Sequence, residues 1–189
     1  AYKVFKDFDT YLILIYLAKK CFNNYQDRFT YFSMEEFYSK EEVMIEKINL
    51  IEISNDLIIP KETVRRKINY LKDTSAIYRR GKKIYVNMSK VQYQKPIESI
   101  KNISIFLAKV SNVLSKEDWF GEKKDPEEIQ NFISKYFTIC WLQFFRLQIS
   151  YIIRHRKTFG DIETWRVWGS IGISQFLSLQ KDIKTKITL

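Results

Sequence analysis

The chain has 189 residues, 46% of them apolar and 16% aromatic, with only 5 Gly and 3 Pro, which excludes a disordered chain or a fibrous repeat. That length can close a hydrophobic core and fits one or two domains. Lys and Arg number 32 against 22 Asp and Glu, a formal net charge of +10 at pH 7, so the expected partner is a polyanion, either nucleic acid or an anionic membrane surface.

The opening Ala1-Tyr2-Lys3-Val4-Phe5 lacks a basic region followed by an apolar core and a cleavage site, so no secretory leader is expected. Asp9 or Thr10 is the expected cap of a first helix, whose apolar positions Leu12, Ile13, Tyr16, Leu17 and Phe22 recur at helical spacing up to about Asn23-Asn24. Ser33-Met34-Glu35-Glu36 has the form of a capping box and predicts a short polar helix to about Glu42. Asn49 is the expected cap of a helix over Leu50 to Leu57. Pro60 then opens another, running to about Asp73, in its first turn, where a missing N–H costs nothing. Val64, Ile68 and Leu71 make its inward stripe, which leaves Arg65, Arg66 and Asn69 on other faces.

Ile77-Tyr78-Arg79 and Ile84-Tyr85-Val86 flank the turn Arg80-Gly81-Lys82-Lys83, the pattern of a hairpin with a basic tip. Lys90 to Pro96 is a junction. Beyond it Pro96 to about Lys116 predicts one helix, and Asp125-Pro126-Glu127-Glu128 starts a very long one. Ile129, Phe132, Ile133, Tyr136, Cys140, Phe144, Leu147 and Tyr151 line one of its faces, and Phe137, Trp141, Phe145 and Ile152 line a second. A helix apolar on two faces must be covered on two sides, as a central helix or a dimer interface. Gly160 ends it, and a last helix begins at Asp161 and carries Trp165 and Trp168.

The charge is concentrated. Between Pro60 and Lys90 stand ten basic residues and two acids, a net +8 of the total +10. The order of short helix, tight turn, Pro-started helix and basic hairpin over Leu50 to Asn87 resembles the winged helix-turn-helix of bacterial transcription regulators. Ile53-Ser54-Asn55-Asp56-Leu57 corresponds to the first helix, with Ser54 as the small residue at the crossing. Ile59 to Leu71, with Thr63-Val64-Arg65-Arg66 at its front, corresponds to the recognition helix, and Ile77 to Val86 to the wing. One departure is Ile58, at a turn position often occupied by Gly.

The resemblance implies a mainly α fold with a small β-hairpin wing: residues 1–92 as the DNA-binding domain, and 93–189 as a helical, aromatic-rich domain for dimerisation or for an unidentified small-molecule effector. It implies a cytoplasmic, sequence-specific DNA-binding transcriptional regulator acting as a homodimer on double-stranded DNA, not an enzyme and without cofactor or metal. A recognition helix in the major groove presents Lys61, Glu62, Thr63, Arg65, Arg66 and Asn69, with Asn49 ahead of them. Arg reads guanine, Asn adenine, and Glu accepts from cytosine. Arg79, Arg80, Lys82 and Lys83 of the wing meet phosphates or a neighbouring minor groove. The alternative is a winged-helix module that binds protein or RNA without operator recognition.

Other patterns carry less. Cys21 and Cys140, far apart in apolar stretches, exclude a disulfide scaffold and a zinc site, and read as free thiols. Phe132 to Ile153 is long enough to span a membrane but contains Lys135, Gln143, Arg146 and Gln148, so a buried helix is expected and no membrane association. His155, the only histidine, sits among Arg154, Arg156 and Lys157 as a polar surface residue. Gly169-Ser170-Ile171-Gly172 has neither the Lys-Ser/Thr nor the preceding strand of a phosphate loop.

Overall fold

In a computed structural model, which describes residues 7–45, 48–81, 83–91, 95–117 and 122–187, the protein is mainly helical with a small three-stranded antiparallel sheet. Helix α1 (Phe8–Asp27) is capped by Asp7, not by Asp9 or Thr10. Asp7 has the extended backbone a cap requires, and its Oδ1 accepts from the Thr10 N–H at 2.9 Å. Asp9 and Thr10 are already helical. The helix runs a turn beyond Asn24 and closes where Phe29 adopts φ 52° and its N–H reaches the Gln26 carbonyl at 3.0 Å.

The Ser33 capping box of α2 (Met34–Tyr38) forms with both bonds, Ser33 N to Glu36 Oε2 at 2.7 Å and Glu36 N to Ser33 Oγ at 3.2 Å. The helix stops at Tyr38, short of the expected Glu42. Glu42–Ile45 is instead a strand, β1, with Val43 and Ile45 buried on alternate positions. Asn49 caps α3 (Leu50–Leu57) by accepting from the Ile51 and Glu52 N–H groups at 3.0 and 3.4 Å.

Ile58 ends α3 in the left-handed region at φ 53°, a conformation that costs a β-branched residue about 1–2 kcal/mol. It is 40% exposed, so little packing compensates. Ile58→Gly is therefore expected to raise Tm by about 2 °C by calorimetry. A fall would mean that the isoleucine's contacts outweigh the strain. Ser54 Oγ donates to the Ile59 carbonyl at 2.7 Å and joins the two sides of the turn.

Pro60 occupies the cap position just ahead of α4 (Lys61–Asp73). Val64, Ile68 and Leu71 are at most 3% exposed and, with Ile53, Leu57 and Ile59, form the seam between α3 and α4. Burying each such side chain contributes about 1.5–3 kcal/mol. The seam rests on α1, whose Leu12, Ile13, Tyr16 and Leu17 are buried. Tyr16 Oη donates to Asp56 at 2.5 Å and Lys20 pairs with Glu52 at 2.5 Å, so α3's acids are turned towards α1.

Strands β2 (Ile77–Arg80) and β3 (Lys83–Asn87) form the expected hairpin, with Arg80 paired to Lys83 and Gly81 at φ 63°. A two-stranded hairpin is marginal alone. Here β1 completes it on the other side of β3, in the order β1-β3-β2, with Val43 and Ile77 both in register with Val86.

After α5 (Met88–Val91) comes α6 (Ile97–Leu114), which packs on α7 (Pro126–Lys135). Asp125 Oδ1 accepts from the Glu127 N–H at 2.7 Å, with Pro126 at the first position as expected. The very long helix is in fact two, because the backbone leaves the helical region at Tyr136 (φ −107°, ψ 40°) and restarts as α8 (Phe137–Phe159). The interruption is held from outside. Phe32 N–H donates to Thr138 Oγ1 at 2.9 Å, and the Thr138 N–H donates to the Phe32 carbonyl at 3.2 Å.

The two expected faces are covered unequally, with Ile133 the buried residue of the first. Phe137, Trp141, Phe145 and Ile152 are buried, whereas Phe132, Leu147 and Tyr151 of the other expected face are 57%, 69% and 47% exposed. Phe22, Phe37, Tyr38 and Trp141 surround Phe137 with ring centroids within 6.1 Å. Gly160 at φ 80° closes α8, and Asp161 caps α9 (Ile162–Ile187), accepting from the Thr164 N–H at 2.6 Å. Gly169 and Gly172 are interior to α9. Among the described residues no helix is long and apolar enough to cross a membrane.

By internal contacts the chain divides into Ala1–Arg146 and Leu147–Leu189. The boundary expected at 92/93 marks a change of composition, while α6 and α7 belong to the first unit.

Candidate nucleic-acid interface

Because Val64, Ile68 and Leu71 take up one stripe of α4, the residues at intervening positions are forced outward. Glu62, Thr63, Arg65, Arg66, Asn69, Tyr70 and Asp73 line a shallow groove of about 570 Å³. Five of the sequence-derived site residues, Glu62, Thr63, Arg65, Arg66 and Asn69, thus share one face. Tyr70 and Asp73 join them unforeseen, although their spacing of four from Arg66 and Asn69 signals it. Lys61 is exposed in the first turn of the same helix.

The charged groups on this face differ in their freedom. Arg65 Nη2 lies 2.5 Å from Glu62 Oε2, with both side chains largely exposed. Lys61 and Arg66 have no ion-pair partner among the described residues. Lys67, on the flank, is committed to Asp7 at 2.7 Å and ties α4 to the start of α1.

Burial raises the pKa of the Asp7 carboxyl, but the Lys67 and Thr10 bonds outweigh this and hold it below the usual 3.8. A lowered folded-state pKa stabilises the fold above the unfolded value, and that stability is lost as pH falls through the folded pKa. Asn caps a helix about as well as Asp, so Asp7→Asn isolates the charge. Urea unfolding should show a loss of about 0.5–1 kcal/mol at pH 7 that shrinks below about pH 4. A loss that is unchanged at pH 2 would assign the effect to the cap.

The hairpin tip is less uniform than its sequence. Arg79 and Arg80 are adjacent and so leave the strand on opposite faces. Arg79 Nε donates to the Gly81 carbonyl at 2.7 Å, and Lys83 is exposed. Arg80 is instead clamped by Glu42, Nη1 to Oε1 at 3.1 Å and Nη2 to Oε2 at 3.0 Å, and lies over the Tyr78 and Tyr85 rings at 5.7 and 5.1 Å. Tyr78 Oη also donates to Glu42. Its charge is therefore matched within the fold, and Arg80 holds the hairpin to β1. In the sequence Glu42 precedes the apolar run Val43, Met44 and Ile45, and nothing local marks it as the partner of Arg80. Lys82 lies outside the described residues.

Asn49 stands apart from the α4 groove. Its side-chain oxygen is engaged in capping α3, and it lines a different depression, of about 460 Å³, with Lys20, Asn24, Asp27 and Glu52.

Cys21 and His155 stand apart from the α4 groove. Burial pushes the Cys21 thiol up to about 11, away from a nucleophilic thiolate. The His155 ring lies against Tyr151 and Trp165 at 4.0 and 4.8 Å, and its Nδ1 is 2.7 Å from the Tyr151 carbonyl, all within the 147–189 unit. Comparison with protein-family models, with curated proteins and with solved structures finds no match to this chain.

Proposed function

We propose that this protein is a sequence-specific DNA-binding regulator of transcription of the winged helix-turn-helix type. The observation that carries the reading is the outward face of α4. There cations, an amide, a hydroxyl and carboxylates stand together on a helix whose opposite stripe is sealed into the core. Major-groove edges present both donors and acceptors, and such a face has complements for both. The element order α1, α2, β1, α3, α4, β2, β3 and the sheet order β1-β3-β2 support it, since a basic hairpin follows directly after the candidate recognition helix. In this reading α4 enters the major groove while Arg79 and Lys83 contact the sugar-phosphate backbone.

The reading includes a homodimer. The 147–189 unit exposes Val167, Trp168, Ile171 and Ile173, each more than half accessible, an apolar surface consistent with a second copy covering it. Sedimentation velocity at micromolar concentration tests this directly.

The decisive experiment is fluorescence anisotropy against duplex DNA over a salt series. Several phosphate contacts per subunit predict a steep negative slope of log K against log salt, about −0.9 for each phosphate neutralised. Absence of binding to any duplex, or a flat line, rejects the proposal.

A further inference from the structure

Glu62 and Arg65 stand one turn apart on the outward face of α4, with Arg65 Nη2 2.5 Å from Glu62 Oε2 and side chains 63% and 70% exposed for Arg65 and Glu62. An exposed pair at this spacing adds little to stability, so the fold itself has small need of it. Its effect is on direction. Guanidinium is planar with five donors in a fixed fork, and holding one nitrogen on a carboxylate restricts the plane in which the remaining donors point. Bidentate recognition of guanine O6 and N7 requires such a fixed plane.

The surrounding charges separate two uses of arginine. A phosphate-contacting arginine gains nothing from a neighbouring carboxylate, which repels the phosphate. Arg66 is placed for that use, with no ion-pair partner among the described residues. Arg65 lies beside an acid, in a groove that Asp73 lines as well. Carboxylates on such a face disfavour backbone and favour base-edge donors such as the cytosine amino group.

We infer that Glu62 is a positioning and specificity-determining residue, which holds Arg65 for guanine so that the bound site requires a G·C pair at that step. The inference rests on the DNA-binding reading. It goes beyond it by assigning a division of labour between two adjacent arginines and a base pair to one of them.

The test begins with selection of bound duplexes from random sequence by the full chain. Affinities for the selected and for a random duplex are then measured for the wild type, Glu62→Gln, Arg65→Ala and the double variant. Glu62→Gln removes one negative charge, so its affinity for random DNA should rise. Its affinity for the selected site should fall about tenfold, within the range expected for loss of one bidentate base contact. The double variant should discriminate no worse than Arg65→Ala, since Glu62 acts through Arg65. Glu62→Asp keeps the charge and shortens the reach; it should weaken the selected site and leave random DNA unchanged.

If Glu62→Gln tightened selected and random DNA alike, or the selected site lacked a required G·C pair, the positioning role would be wrong while the DNA-binding reading stood. If the wild type bound no duplex at all, both would fall.

Discussion

Phe137→Ala is expected to lower the free energy of unfolding by about 3–5 kcal/mol. The ring is fully buried and meets Phe22, Phe37, Tyr38 and Trp141 at centroid distances of 5.5–6.1 Å. Those four partners come from α1, α2 and α8, so the cavity would open where three elements converge, and none can move inward without leaving its own contacts. Phe137 is also the first residue of α8 after the interruption at Tyr136, where the chain's new direction depends on packing. Urea unfolding is the measurement, with the shift in midpoint read at constant m. Ile139→Ala, two residues on and 38% exposed, is the control and should cost well under half as much. Equal losses would show that the aromatic cluster is not the centre of the core.

Replacing Arg65 and Arg66 together by Ala should have the largest effect on the proposed function. With about 1–3 kcal/mol for a lost base contact and a further loss for a phosphate contact, affinity for a selected duplex should fall by roughly tenfold to several hundredfold. Affinity for random DNA should fall much less, because only the phosphate contact is shared. Lys83→Ala at the hairpin tip should behave differently, weakening both duplexes alike and reducing the salt slope by about one. Arg80→Ala should act through the sheet, lowering thermal stability, because its guanidinium is held by Glu42. Both DNAs weakening equally in the Arg65/Arg66 variant would remove α4 as the reading element, whatever the salt series shows.

Much of the helical framework was legible residue by residue. The Ser33 box, the Asn49 and Asp125 caps and the Val64, Ile68, Leu71 stripe all appear where the sequence places them, and the last helix starts just after Asp161. The candidate α4 face follows from that stripe alone, since an inward-facing triplet at helical spacing leaves its neighbours no other direction. Asp7 does not stand out in the sequence as the cap because Asp9 and Thr10 are equally good caps in isolation. The hairpin was legible from its turn, but its third strand was not.

What the sequence by itself determined is whatever a hydrogen bond or side-chain contact within one helical turn can decide: caps, turn residues, the sealed side of α4, and the crowding of positive charge between Pro60 and Lys90. Tertiary structure decided the rest. Glu42–Ile45 is extended because β3, some forty residues later, pairs with it. The helix interrupts at Tyr136 because Thr138 bonds to Phe32, 106 residues away. Ile58 accepts a left-handed backbone because the buried seam between α3 and α4 outweighs the strain. Arg79 and Arg80 read alike as letters, yet Arg79 donates to the nearby Gly81 carbonyl while Arg80, next to the turn, is clamped by Glu42, since charge at a distance is matched only once the chain has brought the partners together.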